Sequence, residues 1–327
     1  MLKLCRSKRR REQAVGRAVV RLRAGVDSGI PGVFVIDFVN LLCTAMKVVE
    51  PKDLEPLSFL FRGKGGHRRA EKIIGFLAID KVNQVYANSG AYTGADFTSR
   101  LLEDVGVSYV VGNAESLRKL PDGAFITISN HPYGGLDGIM TIDLMARLRP
   151  DYKFMVNRML SLIKTLNGNF ISVVPTGNKK RGIKAESIRG VRETISHLRG
   201  GHPIGFFPSG AVSDFSLREM RIRDRRWQES ILHLIHSAKV PVLPLRFFDR
   251  NSAFFYFLGL INWRVRLLRL PSEVFNKRGR IERIGAGEII SAEELSLYPD
   301  PASLGTFLRK KVYEMPIPDE FVPGNLI

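Results

Sequence analysis

From residue 124 onward the chain alternates short apolar runs with amphipathic stretches, and this alternation restricts the fold more than any other feature. "AFITISN", "GNFISVV", "PIGFFPS", "VPVLPLRFF" and "RIERIGAGEII" are rich in β-branched and aromatic residues. Between and after them lie "GIMTIDLMARL", "AESIRGVRETISHLRG", "RRWQESILHLIHSA" and "SLGTFLRKKVYEM", whose apolar residues recur at helical spacing. Several of the strands are almost continuously apolar, as a strand buried on both faces must be. The expected architecture is therefore α/β: a single domain with a mixed, largely parallel sheet flanked by helices.

Upstream, "HRRAEKIIGFLAIDKVNQVYANSG" (67–90) predicts a helix ending at Asn-Ser-Gly, and "DFTSRLLEDVG" a second one, capped by Asp96 and ended by Gly106. They give the domain a helical N-terminal portion. Residues 1–25 hold nine basic side chains, from Lys3 to Arg23, against Glu12 alone. "AVGRAVVRLRAG" suits a basic amphipathic helix on an anionic surface, or a disordered basic tail. A third option is that translation starts at Met46. The organisation expected is a basic extension over 1–45, a domain over 46–315 and a tail over 316–327. The domain divides into a helical part (46–107), an α/β core (108–290) and C-terminal helices (291–315).

The formal net charge is +18, which attracts polyanions: nucleic acid, an anionic bilayer or an acidic carrier protein. Nucleic acid is set aside, because no Phe, Tyr or Trp is interleaved with the basic segment before Phe34. Cys5 and Cys43 are the only cysteines and provide neither a disulfide framework nor zinc-ligand spacing, as expected of a reduced intracellular protein. No metal or cofactor is expected. No run of eighteen apolar residues occurs; "GVFVIDFVNLLCTAM" is short and carries Asp37 and Asn40. No secretory signal is evident.

Ligand sites of parallel sheets collect where loops leave the carboxyl ends of strands. Three such loops stand out: "NHPYGGLDG" after the first strand, "PTGNKKRG" after the second and "PSGAVSDF" after the third. In the first, His131 precedes Asp137 by six positions, with Gly134 and Gly135 letting the loop fold back. An imidazole held by a carboxylate is a general base near neutral pH. The same residues also suit a His-Pro turn with Asp137 capping the next helix. "FFPSG" is not a nucleophile elbow, so the base reading implies direct attack by a substrate hydroxyl. The other histidines, His67, His197, His202, His233 and His236, lack a nearby downstream acid and read as surface or packing residues. Trp227 in "RIRDRRWQE" reads as a core residue.

These blocks resemble the His–Asp signature and following motifs of the glycerolipid acyltransferases, the lysophospholipid acyltransferase superfamily. "SNHPYGGLDG" is similar to the first block, "GNFISVV" to the second, "FFPSGAVS" to the third and "VPVLPL" to the fourth, in the family's order. "RDRRWQE" and "LPLRFFDRNSAFFYFLG" extend the likeness toward the hemolysin-like branch, which includes O-acyltransferases that complete ornithine and glycine lipids; the label implies no lytic activity. The resemblance implies that His131 is the general base and Asp137 its partner, with Asp214 as a fallback. It implies substrate contacts from Asn130, Gly134, Gly135, Phe170, Ile171, Pro208, Ser209, Gly210 and Ser213. Lys179, Lys180 and Arg181 of the second loop read either as cations for the acceptor's carboxylate or as a solvated basic loop. The implied co-substrate is an acyl thioester of acyl carrier protein or coenzyme A, and the implied acceptor a lyso-lipid. Peripheral attachment to the cytoplasmic face of the inner membrane follows from the same likeness.

One departure bears on the acid and two on the acceptor. Five residues separate His131 from Asp137 where the family has four, which keeps Asp214 as the fallback partner. Val173 stands where the second block has arginine, and Ser209 and Val212 where the third has glutamate and arginine. A guanidinium fork matches phosphate oxygens, so losing both arginines argues against lysophosphatidic acid and for a lyso-amino-acid lipid. Lysophosphatidic acid as acceptor, and a non-catalytic lipid-binding protein on the same scaffold, are the alternatives.

Overall fold

The computed structural model describes residues 63–76, 78–157, 168–173 and 185–327. The basic extension, Met46 and the "PTGNKKRG" loop with Lys179, Lys180 and Arg181 lie outside these residues. The contacts of the chain divide it into two units between Asp80 and Lys81.

The region expected to be one helix over 67–90 is two, α1 (Gly63–Phe76) and α2 (Ile79–Ser89), because Ala78 adopts φ 56° between them. Then follow α3 (Gly94–Val105), β1 (Ser108–Gly112), β2 (Ile126–Ser129), α4 (Leu136–Leu148), β3 (Lys153–Asn157), β4 (Phe170–Val173) and α5 (Ala185–Arg199). The order continues with β5 (Ile204–Phe206), a hairpin of β6 (Asp214–Ser216) and β7 (Arg221–Arg223), α6 (Glu229–Ala238) and β8 (Val242–Phe247). It ends with α7 (Ala253–Ile261), α8 (Trp263–Leu268), α9 (Leu270–Phe275), β9 (Ile281–Ala286), α10 (Ala292–Ser296), α11 (Pro301–Tyr313) and β10 (Phe321–Pro323). Gly106 terminates α3 in the left-handed region at φ 77°, as expected, but the N-cap is Thr93, with Asp96 in the first turn.

The main sheet has eight strands in the order β10-β1-β9-β8-β2-β5-β3-β4. Strands β8, β2, β5, β3 and β4 run parallel, as do β1 and β9. The two blocks meet antiparallel at β8 and β9, and β10 pairs antiparallel with β1 at one edge. The segment read as a tail thus supplies an edge strand. Strand β2 is central, and all four of its residues are buried. Ile126 and Ile128 join Ile204, Phe206 and Val242 in a core filled by Leu232 and Ile235 of α6 and by Leu304, Leu308 and Val312 of α11. Thr127 points the other way, its hydroxyl 2.6 Å from the Tyr152 hydroxyl. Helices thus cover both faces, and apolar burial on this scale is the main stabilising term. Among the described residues no helix is long and apolar enough to cross a membrane.

Candidate active site

Because β2, β5 and β8 are parallel neighbours, their following loops leave from the same edge of the sheet. Asn130 is the first residue beyond β2. Its Nδ2 donates to the Phe247 carbonyl at 2.9 Å, and its Oδ1 accepts from the Phe247 amide at 2.8 Å. Both ends of the amide therefore lock β2 to β8, a structural role where the sequence suggested substrate contact.

His131 comes next. Its Nδ1 lies 2.8 Å from Asp137 Oδ2. The same oxygen accepts the Tyr133 amide at 2.9 Å and the Gly134 amide at 3.3 Å, while Oδ1 accepts from Gly138 at 3.0 Å. Asp137 sits inside the first turn of α4, whose N-cap is Gly135. Its carboxylate closes the preceding loop on itself, which replaces the expected N-cap role. Gly134 lies in the loop between the two partners. It takes φ 89°, and a Cβ there would come within 2.6 Å of Leu270 Cδ2 and 2.8 Å of Val212 Cγ2. With a carboxylate accepting from Nδ1–H, the lone pair resides on Nε2, where a base needs it. The His131 side chain keeps 13% of its surface exposed and that of Asp137 none, so solvent reaches the ring but not its partner.

The imidazole stacks on Phe207, with ring centroids 3.9 Å apart and planes 18° apart. Phe207 is wedged against Phe154 of β3 at 4.7 Å. On its other side the loop is tied down by Tyr133, whose hydroxyl donates to Glu282 at 2.6 Å and whose ring lies 4.5 Å from Lys277 Nζ. Burial pushes the Tyr133 hydroxyl and the Glu282 carboxyl up and the Lys277 amine down.

A second acid, Asp224, reaches the same segment. Its Oδ1 accepts the His131 amide at 3.1 Å and the Ser213 hydroxyl at 2.5 Å, and its Oδ2 the Trp227 indole at 3.4 Å. Ser213 returns a backbone bond to the His131 carbonyl at 2.8 Å. Burial raises the Asp224 carboxyl above its usual range, against these hydrogen bonds and the nearby His131 and Arg309 charges. Burial alone would lower the His131 pKa; the Asp137 charge and hydrogen bond, then the Asp224 charge, outweigh it and leave it raised.

The remaining expected contacts divide. Gly134, Gly135, Ser213 and the Pro208–Gly210 turn surround the His131 loop or the loop beside it. Pro208 O accepts the Gln228 amide at 2.8 Å, and the Ser209 hydroxyl donates to Ala211 O at 2.8 Å. Gly210 takes φ 61°, where a Cβ would meet the Gln228 side chain. Phe170 and Ile171 are buried on β4, with β5 and β3 between them and β2, so they act as core. Asp214 pairs with Arg225 and Arg266, which removes it as the His131 partner. Trp227 is buried in the core, as read from the sequence. Asp224 and Phe207 were missed. Asp224 stands inside "RDRRWQE", a block read for its family likeness and for Trp227. Among the described residues no serine or cysteine hydrogen-bonds the His131 ring, and no three acidic, His or Cys side chains cluster to hold a metal ion.

Residues 78–317 match the family described as Acyltransferase. A curated relative named lyso-glycine lipid O-acyltransferase, from Bacteroides thetaiotaomicron, is 25% identical over 72% of this chain and 85% of its own length. One of the same name from Phocaeicola vulgatus is 24% identical over 72% and 83%. Among solved structures, the 1-acyl-sn-glycerophosphate (LPA) acyltransferase PlsC of Thermotoga maritima aligns with a TM-score of 0.43 and 15% identity, covering 85% of this chain and 95% of that one.

Proposed function

Since this chain belongs to the acyltransferase family, we propose that it transfers a fatty acyl group from a thioester to the hydroxyl of a lyso-amino-acid lipid of the glycine-lipid type. The observation that carries this is the His131–Asp137 pair: a ring with one nitrogen held by a buried carboxylate at 2.8 Å and the other available at a partly exposed edge. His131 Nε2 takes the acceptor's hydroxyl proton as its oxygen attacks the thioester carbonyl. Asp137 stabilises the imidazolium that forms. The tetrahedral intermediate collapses with cleavage of the carbon–sulfur bond, and the departing thiolate takes the proton from His131.

The acceptor assignment draws on two features. Val212 and Ser209 occupy the places where the resembling family carries arginine and glutamate. Val212 is buried in an apolar cluster with Phe255 and Tyr256, so the side chain at this position offers no guanidinium to a phosphate, and the neighbouring Arg266 is held by Asp214. The two curated relatives named for lyso-glycine lipid agree with this choice. The donor is an acyl thioester of acyl carrier protein or coenzyme A, both of which suit the +18 charge, and the enzyme works while attached peripherally to a membrane.

The test is His131→Ala, assayed with lyso-glycine lipid and acyl thioester by mass spectrometry, with circular dichroism to confirm folding. Loss of a general base costs about 10²–10⁴ in rate; a variant as fast as wild type refutes the assignment. Wild-type protein that binds lyso-lipid without forming product would favour a non-catalytic binder. Cells lacking the protein should accumulate a mono-acylated amino-acid lipid, whereas accumulation of lysophosphatidic acid would overturn the acceptor.

A further inference from the structure

Helix α7, "AFFYFLGLI", buries Phe255 and Tyr256 but turns Phe254, Phe257 and Ile261 outward, 46, 56 and 68% exposed. Their spacing of three and four places them on one stripe. Leu260 and Trp263, at the junction with α8, are also exposed. The β6–β7 hairpin packs against α7 through Phe215, which joins Val212, Phe255 and Tyr256. The tip of this hairpin exposes Leu217 and Met220. Isolated apolar residues on a surface are ordinary, but seven on three adjoining elements form a patch that calls for a partner. Exposed Arg218 and Arg221 lie on the hairpin, and exposed Arg250 precedes α7. The nearby acids are engaged: Asp214 by Arg225 and Arg266, and Glu219 by Arg223.

A cleft of about 280 Å³ lies between the hairpin and these helices, lined by Asp214, Phe215, Tyr256, Leu260, Trp263 and Arg266 among others. It touches the His131 loop through main-chain contacts, and the His131 ring is not part of its lining. The Tyr256 hydroxyl is 3.4 Å from the Pro132 carbonyl, Arg266 donates to the Ser213 carbonyl at 3.1 Å, and Ser213 donates to the His131 carbonyl.

We propose that the outer stripe of α7, the start of α8 and the tip of the β6–β7 hairpin form the face that docks on an anionic bilayer leaflet, presenting the cleft beside His131 to the lipid surface. The apolar side chains enter the leaflet, the arginines stay level with the lipid phosphates, and Trp263 occupies the interface. Charge decides between occupants. A second copy would set the same arginines against one another, and residues 1–25 carry the same sign, whereas an anionic leaflet complements them. The inference rests on the lipid-acyltransferase reading.

The test uses the full chain with phosphatidylglycerol–phosphatidylcholine vesicles carrying brominated acyl chains. The chain has two tryptophans, and Trp227 is buried, so quenching reports Trp263. Emission should be quenched, and Trp263→Phe should abolish the quenching while the protein still sediments with vesicles. Phe257→Glu combined with Ile261→Glu should lower partitioning by about tenfold or more. That double variant should raise KM for vesicle-borne acceptor, with kcat/KM for a dispersed short-chain acceptor unchanged. Vesicle-bound protein with unquenched Trp263, or a double variant that partitions like wild type, overturns the proposal. Concentration-dependent self-association abolished by the double variant also overturns it and assigns the face to a second copy. A wild type that acylates no lyso-lipid in any form defeats the acyltransferase reading instead, and quenching tests docking independently of it.

Discussion

Asp137→Asn isolates the carboxylate's charge, because the side chain keeps its size. The native carboxylate accepts four hydrogen bonds: three at Oδ2, from His131, Tyr133 and Gly134, and one at Oδ1 from Gly138. The better amide orientation keeps its oxygen on the three donors and turns its own NH₂ against the Gly138 N–H. Each of the three retained bonds falls from charged to neutral strength, a loss of about 1 kcal/mol apiece. The fourth is replaced by a donor–donor contact costing about 1 kcal/mol more. Relief of burying a charge offsets part of this, so the net destabilisation should be about 2–4 kcal/mol. The rate effect is separate, since without the carboxylate the imidazolium formed at proton transfer loses its balancing charge and the ring its fixed tautomer. A fall of about 10²–10⁴ in kcat/KM is expected.

The pH dependence carries a sign of its own. Asp137 contributes most of what raises the His131 pKa against burial. The base is competent only when neutral, so wild-type activity should rise with pH through that raised pKa, and the variant's acid limb should move to lower pH. For stability, a raised histidine pKa stabilises the fold below the unfolded value of 6.5, and this contribution is lost as pH rises through the folded value. The variant's destabilisation should therefore be larger at about pH 6 than at about pH 9. The assay pairs a pH–rate profile on lyso-lipid and acyl thioester with urea unfolding at both pH values. An acid limb that stays in place, with a rate within about threefold of wild type, would refute the reasoning.

Asp224→Ala leaves the His131 amide, the Ser213 hydroxyl and the Trp227 indole without their acceptor. It should destabilise by about 3 kcal/mol in denaturant unfolding, with a smaller shift of the acid limb to lower pH. Gly134→Ala must place a Cβ within 2.6 Å of Leu270 at φ 89°; about 1–3 kcal/mol of destabilisation is expected, with reduced kcat, and a neutral variant would show that the loop conformation is not required. Tyr133→Phe removes a buried bond to Glu282 and should cost about 1–3 kcal/mol by thermal unfolding. Phe207→Ala removes the stack under His131 and should lower kcat more than it raises KM.

Local pattern made much of the core readable. The apolar runs that became β2, β4, β5 and β8 are strong because strands covered on both faces need apolar residues at nearly every position. Gly106 marked a helix end because few other residues accept φ 77°. Strands β1 and β3 passed unread: "SYVVG" and "KFMVN" are five residues each, and what makes them strands is pairing with β9 and with β4 and β5. The break at Ala78 was hidden because the apolar spacing continues across it. Within the site, the loop from His131 to Asp137 was legible because its partners lie six positions apart. That Phe170 and Ile171 are buried on β4 and that Asn130 ties β2 to β8 was not legible, because a motif does not record whether a residue faces a ligand or a neighbouring strand.

By itself the sequence determined the periodicities that select an α/β sheet, and the imidazole, carboxylate and glycines of one loop, since each depends on residues within a few positions. Only the tertiary structure decided that Asp224, 93 positions away, holds the His131 amide, that Asp214 belongs to two arginines instead, and that α7 adjoins the β6–β7 hairpin. Those contacts follow from strand order, with β2 lying between β5 and β8. Strand order is set by the packing of the whole sheet, which no single segment encodes.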